Sequence, residues 1–400
     1  MTRALIPVLL AVFLDLLGFG LVIPLLTFYA EDHAASPLQV TLLMAIYSLA
    51  QLLMAPVWGG LSDRIGRRPV LLLSIGASAL FLAGFAASTE LWMLFLFRAL
   101  HGACAANIST AQAAIADLTP PEKRAMGMGL IGAAFGVGFT LGPWVGGELA
   151  VFGHATPIWV AAGLAAFNFV LALFLLPETL RPGVSSGGHG RRTLDPRRIA
   201  AALSHPVVGL CILLTFGSTM AFALMESTFT LFARHAHQLD APTVGRYFGV
   251  AGLVTILIQG GLIGRLVKRF GEAALIPVGL LLLAIGLVAL PFAPPPVAMV
   301  SVFCLIALGQ SISTPSLQSL ISRGTAESEQ GLVLGANQSM SALARVVGPA
   351  IGGLAYENIG KQAPFLVAGG ILLLAFFFSF AATRRWKSGL AAQGSASGAS

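Results

Sequence analysis

The chain has 400 residues, 56% of them hydrophobic and only 10% charged, with a mean hydropathy of +0.87. That composition excludes a soluble globular enzyme and belongs to multi-pass membrane proteins. A formal net charge of +7 would suit a nucleic-acid binder, but the basic residues gather in alternate connections between apolar runs, so the charge encodes orientation and no nucleic-acid partner is implied.

Twelve apolar runs occur at roughly 4–28, 38–60, 69–88, 91–113, 126–150, 157–176, 206–233, 243–264, 273–293, 296–322, 331–355 and 363–382. At ~1.5 Å per residue, a run of this length matches a hydrocarbon core of roughly 30 Å, so the pattern predicts an all-α membrane protein with twelve transmembrane helices. The connections with Arg64, Arg67, Arg68, Lys123, Arg124, the 181–198 arginines, Arg265, Lys268, Arg269 and Arg323 fall on one side, with both termini. The other side has only Arg234, Arg246 and Lys361. By the positive-inside rule both termini are cytoplasmic.

The first run, with AVFLDLLGFGLVIPLL at 11–26, places Asp15 at ~16 Å from the cytoplasmic end, near mid-membrane. A carboxylate there costs several kcal/mol unless it faces a wet cavity, finds a cation or takes up a proton. The length of the run, Asp15 and the lack of a small-residue cleavage site argue against a signal peptide. After the second run, GGLSDRIGRRP at 59–69 packs one acid and three arginines into a short connection. Gly59, Asp63, Arg64, Gly66 and Arg67 stand out there, although a plain basic loop would also satisfy the charge rule.

In the fourth run, FRALHGACAAN, Arg98 and His101 are three apart and share a helix face at about the depth of Asp15. An Asp15, His101, Arg98 cluster is expected, either as a static buried network or as a proton-coupling site. Asn107 and Gln112 follow, and Asp117 lies just beyond the end of the run. The fifth run, GLIGAAFGVGFTLGPWVGG, carries small-residue stripes through Gly132 and Gly136 and through Gly138, Gly142 and Gly146, suited to close helix packing. Pro143 adds a kink before Gly147.

The Gly-, Ser- and Arg-rich stretch 181–205 reads as a cytoplasmic linker between an N-terminal unit, 1–180, and a C-terminal unit, 206–387, with a disordered tail at 388–400. In the second unit Glu226 and Arg345 lie at matching depths, which predicts a salt bridge; alternatively Glu226 shares proton binding or attracts a cationic substrate. Gln259, Gln310 and Gln318 line a cavity or bridge helices. Cys104, Cys211 and Cys304 are odd in number, lie within runs and lack metal-ligand spacing, so neither a disulfide framework nor a metal site is expected. The sequons at Asn107 and Asn337 also fall within runs and read as chance matches.

The two units echo each other. Gly59, Leu61, Arg64 and Gly66 recur 205 positions later as Gly264, Leu266, Arg269 and Gly271, and LGPWVGG at 141–147 is matched by VGPAIGG at 347–353. Such internal repeats mark many transporter folds, here as a duplicated six-span unit.

On these residues the chain resembles the major facilitator superfamily, whose signature loop between spans two and three has the Gly-x-Leu-x-x-Asp-Arg-x-Gly-Arg-Arg order. The resemblance implies two pseudo-symmetric six-helix bundles. It also implies that Asp63 caps a helix start in the opposite half and that Arg64 and Arg67 meet Asp117, holding one of two global states. The Gly-Pro-x-x-Gly-Gly ending of span five resembles the antiporter motif. Asp15-x-x-Gly18 with Pro24, and Arg98-x-x-x-Gly102, resemble the first- and fourth-span motifs of the twelve-span drug:proton antiporters, bacterial tetracycline exporters in particular. Those exporters carry an acid in span three, another in span nine and a His in span eight. Here Ala79 stands at the first of these places, and PVGLLLLAIG and AGLVTILIQG contain neither acid nor His.

A metal-chelated tetracycline is therefore not the expected substrate; a lipophilic or amphiphilic drug is. The resemblance implies a proton-driven exporter in a bacterial cytoplasmic membrane, functional as a monomer among lipids, with a small lipophilic or cationic substrate and protons as partners. No cofactor is expected: the chain has no Gly-x-x-x-x-Gly-Lys-Ser/Thr phosphate loop, so an ion gradient is the energy source. Uptake by symport and lipid flipping are the alternatives. An intramembrane enzyme is disfavoured, since neither His-Glu-x-x-His nor a serine nucleophile motif is present.

Overall fold

The computed structural model describes residues 5–105, 107–119, 124–179, 196–326 and 329–397, leaving out the side chains of 107–109, 116, 124–129, 135, 196–198 and 387–397. The described residues are helical, with no strand among them. In chain order the helices are α1 (Leu5–Val22), α2 (Leu26–Asp32), α3 (Pro37–Ile65), α4 (Arg67–Ala86), α5 (Leu91–Cys104), α6 (Asn107–Leu118), α7 (Arg124–Leu149) and α8 (Thr156–Leu175). They continue as α9 (Pro196–Leu203), α10 (Val208–His237), α11 (Ala241–Leu257), α12 (Ile263–Phe270), α13 (Glu272–Ala289), α14 (Val297–Arg323), α15 (Gln330–Asn358) and α16 (Ala363–Ser397).

Ten helical segments among the described residues are long and apolar enough to cross a membrane, and Leu91–Cys104 is a shorter apolar helix. The protein is thus a multi-pass membrane protein. The twelve sequence runs differ from these ten in two places. The fourth run breaks at Ala105 into α5 and α6. The eleventh forms the 29-residue α15, long enough to span but rich in Gly, Ser, Asn and Gln. The break between α1 and α2 falls at Pro24, which lacks a backbone donor, and α11 reaches α12 through a π-helical turn at Ile258–Leu262.

Helix starts and stops follow local chemistry. Ser36 opens α3: its hydroxyl accepts the Gln39 N–H while the Gln39 side chain accepts the Ser36 N–H, and Pro37 fits the first helical position. Gly66 and Gly271, the duplicated glycines, have φ of +105° and +75°, so each turns the chain between helices where a Cβ would be strained. Two expectations are changed. Residues 196–203 of the predicted linker form α9, which packs on α10 and α15 and buries Ala202. The backbone of α16 also runs on as helix to Ser397 where a disordered tail from 388 is expected; Leu390, Ala391 and Ala392 are strong helix formers.

Within residues 5–175, α1 packs on α7 and α8, and α4 on α5 and α8; within 208–386, α10 packs on α15 and α16, and α13 on α14 and α16. Two main pairs join these groups, α3 with α15 and α7 with α11. Both pairs touch at the end away from the basic loops, the far end, and separate toward the basic end. On α3 and α15, Gly353 lies against Leu38 and Thr41, but among the described residues Gly60, Gly331 and Gly335 have nothing within 4 Å of where a Cβ would stand. On α7 and α11, Gly147 meets Ala241 and Gly245, and Gly136 reaches Ile256, beyond which Gly132, Gly260, Gly261 and Gly264 face open space. The result is a central cleft closed at the far end and open at the basic end.

Candidate functional site

Asp15 and His101 line one narrow pocket together with Phe19, Tyr47, Ser78, Leu82 and Ala161. Its volume of ≈ 10 Å³ holds about one water, so it suits a proton or a water rather than a drug. Arg98 is 2% exposed. Its guanidinium lies 4.6 Å from the Tyr47 ring centre and 5.9 Å from that of Phe19, a cation–π arrangement favoured by desolvation. The Tyr47 and His101 rings meet edge-on at 5.2 Å. The structure therefore brings Asp15, Arg98 and His101 together, with Tyr47 and Phe19 between them. Sequence reasoning passed over both aromatics, because an aromatic in an apolar helix carries no signal of its own.

The break after His101 is chemically prepared. Three successive carbonyls at the end of α5 are taken by side chains: Ala103 by the Trp58 indole N–H at 2.6 Å, Cys104 by the Ser74 hydroxyl, and Ala105 by the Gln51 amide at 3.1 Å. Backbone released from a helix at membrane depth must find partners inside the protein, and α3 and α4 supply them. The interruption fixes the direction of the Arg98 and His101 face.

Of the expected cavity residues, Arg345 is exposed at the middle of α15, Glu226 is half-buried on α10, and Gln112 and Gln310 are half-buried. The Ser218 hydroxyl bonds the Gln310 carbonyl at 3.5 Å. The Asn107 side chain lies outside the described residues. Glu226 and Arg345 are within electrostatic reach of each other, and Arg345 of Tyr47. The expected salt bridge within 4 Å is not among the ion pairs of the described residues. Helical spacing and matched depth bring the two charges to one region, while contact also needs the side chains to meet across the open cleft. Among the described residues no group of three or more His, Cys, Asp or Glu is placed to hold a metal ion.

At the basic end, Arg67 forms ion pairs with Asp63 at 2.7 Å and with Asp117 at 3.4 Å, and donates to the Ser62 hydroxyl at 2.5 Å. Arg64 is exposed. Glu178, which sequence reasoning missed, accepts the Arg67 and Arg68 backbone N–H groups at 3.0 and 3.2 Å. It thereby places a carboxylate at the start of α4, where the helix dipole favours it. The duplication maps Arg67 onto Glu272, and there Glu272 pairs with Arg323 at 2.8 Å. The second unit keeps the geometry with the charges exchanged.

The glycine stripe of α7 serves two neighbours. Gly138, Gly142 and Gly146 face Leu16, Gly20 and Leu21 of α1, and Gly147 faces α11. The repeat in α15 does likewise: Gly348 and Gly352 face α10, and Gly353 faces α3. Each motif thus joins its helix to one partner within its own unit and one across the cleft. A Cβ at Gly142 would stand 2.6 Å from the Gly20 Cα. Gly142→Ala is expected to destabilise the fold by about 1–3 kcal/mol through overpacking, read as a lowered Tm in detergent. Gly132→Ala, with nothing within 4 Å among the described residues, should leave the Tm unchanged or raise it, by the equivalent of up to about 1 kcal/mol.

The far end is tied by acids that sequence reasoning also passed over. Glu31 of α2 sits 2.8 Å from both Arg234 and His235 of α10. Glu357, at the end of α15, accepts the Leu38 N–H at 3.1 Å and the Ser36 hydroxyl at 3.4 Å, at the start of α3. Glu148 pairs with Arg246 at 2.8 Å, and Lys361 donates to the His235 carbonyl at 2.9 Å. The signal was present in the three basic residues that depart from the charge rule: Arg234, Arg246 and Lys361 each take part in this seam.

A model of the Major Facilitator Superfamily matches residues 8–346 and 260–397. The chain is 32% identical over 367 residues to the class E tetracycline resistance protein of Escherichia coli, covering 89% of each. It is 28% identical over 372 residues to multidrug resistance protein 2 of Bacillus subtilis (strain 168), covering 91% of each. Among solved structures, the human organic anion transporter MFSD10 (TETRAN) is 29% identical with a TM-score of 0.71, covering 94% of this chain and 99% of that one.

Proposed function

Because the chain belongs to the Major Facilitator Superfamily and is a transporter rather than an enzyme, we propose that it is a proton-coupled exporter of lipophilic or amphiphilic drug-like compounds. In this reading twelve crossings form two six-helix halves, residues 1–180 and 206–387, that rock about the central cleft and need no cofactor beyond the proton gradient. The basic end faces the cytoplasm of a bacterium, with both termini, and the protein acts as a monomer in the inner membrane. The cleft is then open inward.

One observation carries the coupling: a carboxylate, Asp15, and an imidazole, His101, share a pocket the size of one water, beside the buried Arg98. A charge at this depth costs several kcal/mol, so gain or loss of a proton by Asp15 changes the free energy of the site by an amount that can drive a conformational step. Coupling requires that protonation favour one state, because equal affinity for both shifts nothing. Asp15 takes a proton when the cleft opens outward and releases it inward, while substrate occupies the wider cleft below Glu226, Gln310 and Arg345.

The names of the tetracycline and multidrug resistance relatives support export of drugs. The absence of acids at Ala79 and in span nine favours a substrate without chelated metal. In inside-out proteoliposomes with an acid interior, addition of substrate is expected to produce substrate accumulation and proton efflux together. Substrate movement that ignores the pH gradient, or that runs with protons in the same direction, would exclude the antiport reading.

A further inference from the structure

We infer, on the exporter reading, that the transported compound is an amphiphilic organic anion whose carboxylate is held by Arg345. Arg345 lies halfway along the 29-residue α15 and is exposed. It makes no hydrogen bond and no ion pair within 4 Å among the described residues. Its exposure is to the cleft rather than to lipid. Gly331, Leu334, Gln338, Ala342 and Arg345 recur at spacings of 3, 4, 4 and 3, which is one face of a helix. Gly331 and Gly335, at the basic-end turn of α15, look onto the open space between α15 and α3. Arg345 also stands within electrostatic reach of Tyr47 on α3 and Glu226 on α10, helices that flank the cleft from opposite halves.

An accessible cation at this depth, not neutralised by contact, is a receptor for an anion. A guanidinium grips a carboxylate through two parallel N–H bonds, and the bond strengthens as water is excluded. The second arginine adds to the field: Arg98 also acts on Tyr47, and its Nε and Nη1 have no hydrogen-bond partner among the described residues. An organic cation would meet these two positive charges in the cleft. The acid best placed to offset them, Asp15, opens on a pocket with room for about one water. Apolar surface for the rest of the molecule comes from Leu334, 39% exposed on the Arg345 face, and from Phe222, one turn from Glu226. Glu226 is then the internal competitor for Arg345: its proton uptake frees the arginine for substrate, and its ionisation weakens the hold.

The test uses the full-length protein purified in detergent and three matched probes, 2-naphthylacetate, 2-naphthylacetamide and 2-(2-naphthyl)ethylamine, with binding measured by titration calorimetry. The acid is expected to bind at least about ten-fold tighter than the amide and the amine. Arg345→Gln should weaken the acid about 10–100-fold while leaving the amide within about two-fold, Arg345→Lys should retain part of the preference, and Glu226→Gln should tighten the acid. Equal affinity for the three probes, no measurable binding of the acid, preference for the amine, or an Arg345→Gln loss shared by the amide overturns the inference. The same probes in proteoliposomes separate this from the exporter reading. Transport of the amine under a pH gradient with no preference for the acid removes the anion site and leaves the exporter. Arg345-dependent binding of the acid without gradient-driven movement does the reverse.

Discussion

Asp15→Asn is expected to lower proton-coupled export at least about 100-fold while leaving Tm within about 1 kcal/mol equivalent of the parent. Asn has the shape of Asp and keeps hydrogen-bonding capacity, and the site is a half-buried position on the wall of a small pocket, so packing is preserved. What is lost is the group whose charge changes. If occupancy by a proton is what biases the two states, a side chain that cannot titrate gives no bias, and moving a two-state equilibrium between 1:99 and 99:1 requires about 5.5 kcal/mol of differential binding. Neighbouring His101 does not replace it, because it sits beside the Arg98 guanidinium, whose charge opposes a second cation. The measurement is pyranine-reported proton release alongside substrate flux in proteoliposomes. Downhill substrate flux in the variant is compatible with this role, but uphill flux with proton exchange at the parent rate would refute it.

The residues that the sequence singles out and the structure brings together are those whose presence in oil is expensive. Asp15, Arg98 and His101 stand out because a polar group at that depth needs a physical reason, and the structure brings them to one place. Tyr47 and Phe19, which complete the cluster, carry no such cost and were invisible. The break at Ala105 was equally hidden, since Gln51, Trp58 and Ser74 satisfy the freed carbonyls from other helices and nothing in FRALHGACAAN itself marks an interruption. The depth argument for Glu226 and Arg345 predicted a salt bridge, and the two lie within electrostatic reach without an ion pair among the described residues, because rise per residue fixes height along a helix and says little about lateral distance. Glycines behaved differently. Their spacing in α7 and α15 exposed the stripe, while the division of each stripe between an inner partner and a partner across the cleft follows only from tertiary packing.

The second large effect is expected at the far end, where Glu31→Gln should shift the balance away from the arrangement closed at that end by about five- to thirty-fold. Glu31 is 13% exposed and lies 2.8 Å from both Arg234 and His235, which are 34% and 33% exposed. Such a half-buried pair falls between the 0–1 kcal/mol of surface bridges and the 3–5 kcal/mol lost when a buried pair is broken, so about 1–2 kcal/mol is at stake. On the proposed alternating-access cycle all of it belongs to the state closed at the far end, since Glu31 is on α2 and its partners are on α10. Glu357 acts in the same sense from the other direction, with its carboxylate at the N-terminus of α3, a favourable place for negative charge. This mirrors, at the opposite end of the α3–α15 pair, the cap that the resemblance assigns to Asp63; in the present state Asp63 is paired with Arg67 within its own half. On the proposed alternating-access cycle, Glu357 here and Asp63 in the role the resemblance gives it would act at opposite ends of one helix pair. Electron–electron distance measurements between spin labels at the exposed Glu90 and Val297 report the opening: Glu31→Gln should add a longer-distance population, and combination with Glu357→Gln should enlarge it. Arg246→Gln supplies the contrast. Its pair with Glu148 is 58% and 43% exposed, and water screens such a surface bridge, so its distance distribution should match the parent. An unchanged distribution in the double variant would mean that the far end is held by glycine packing alone.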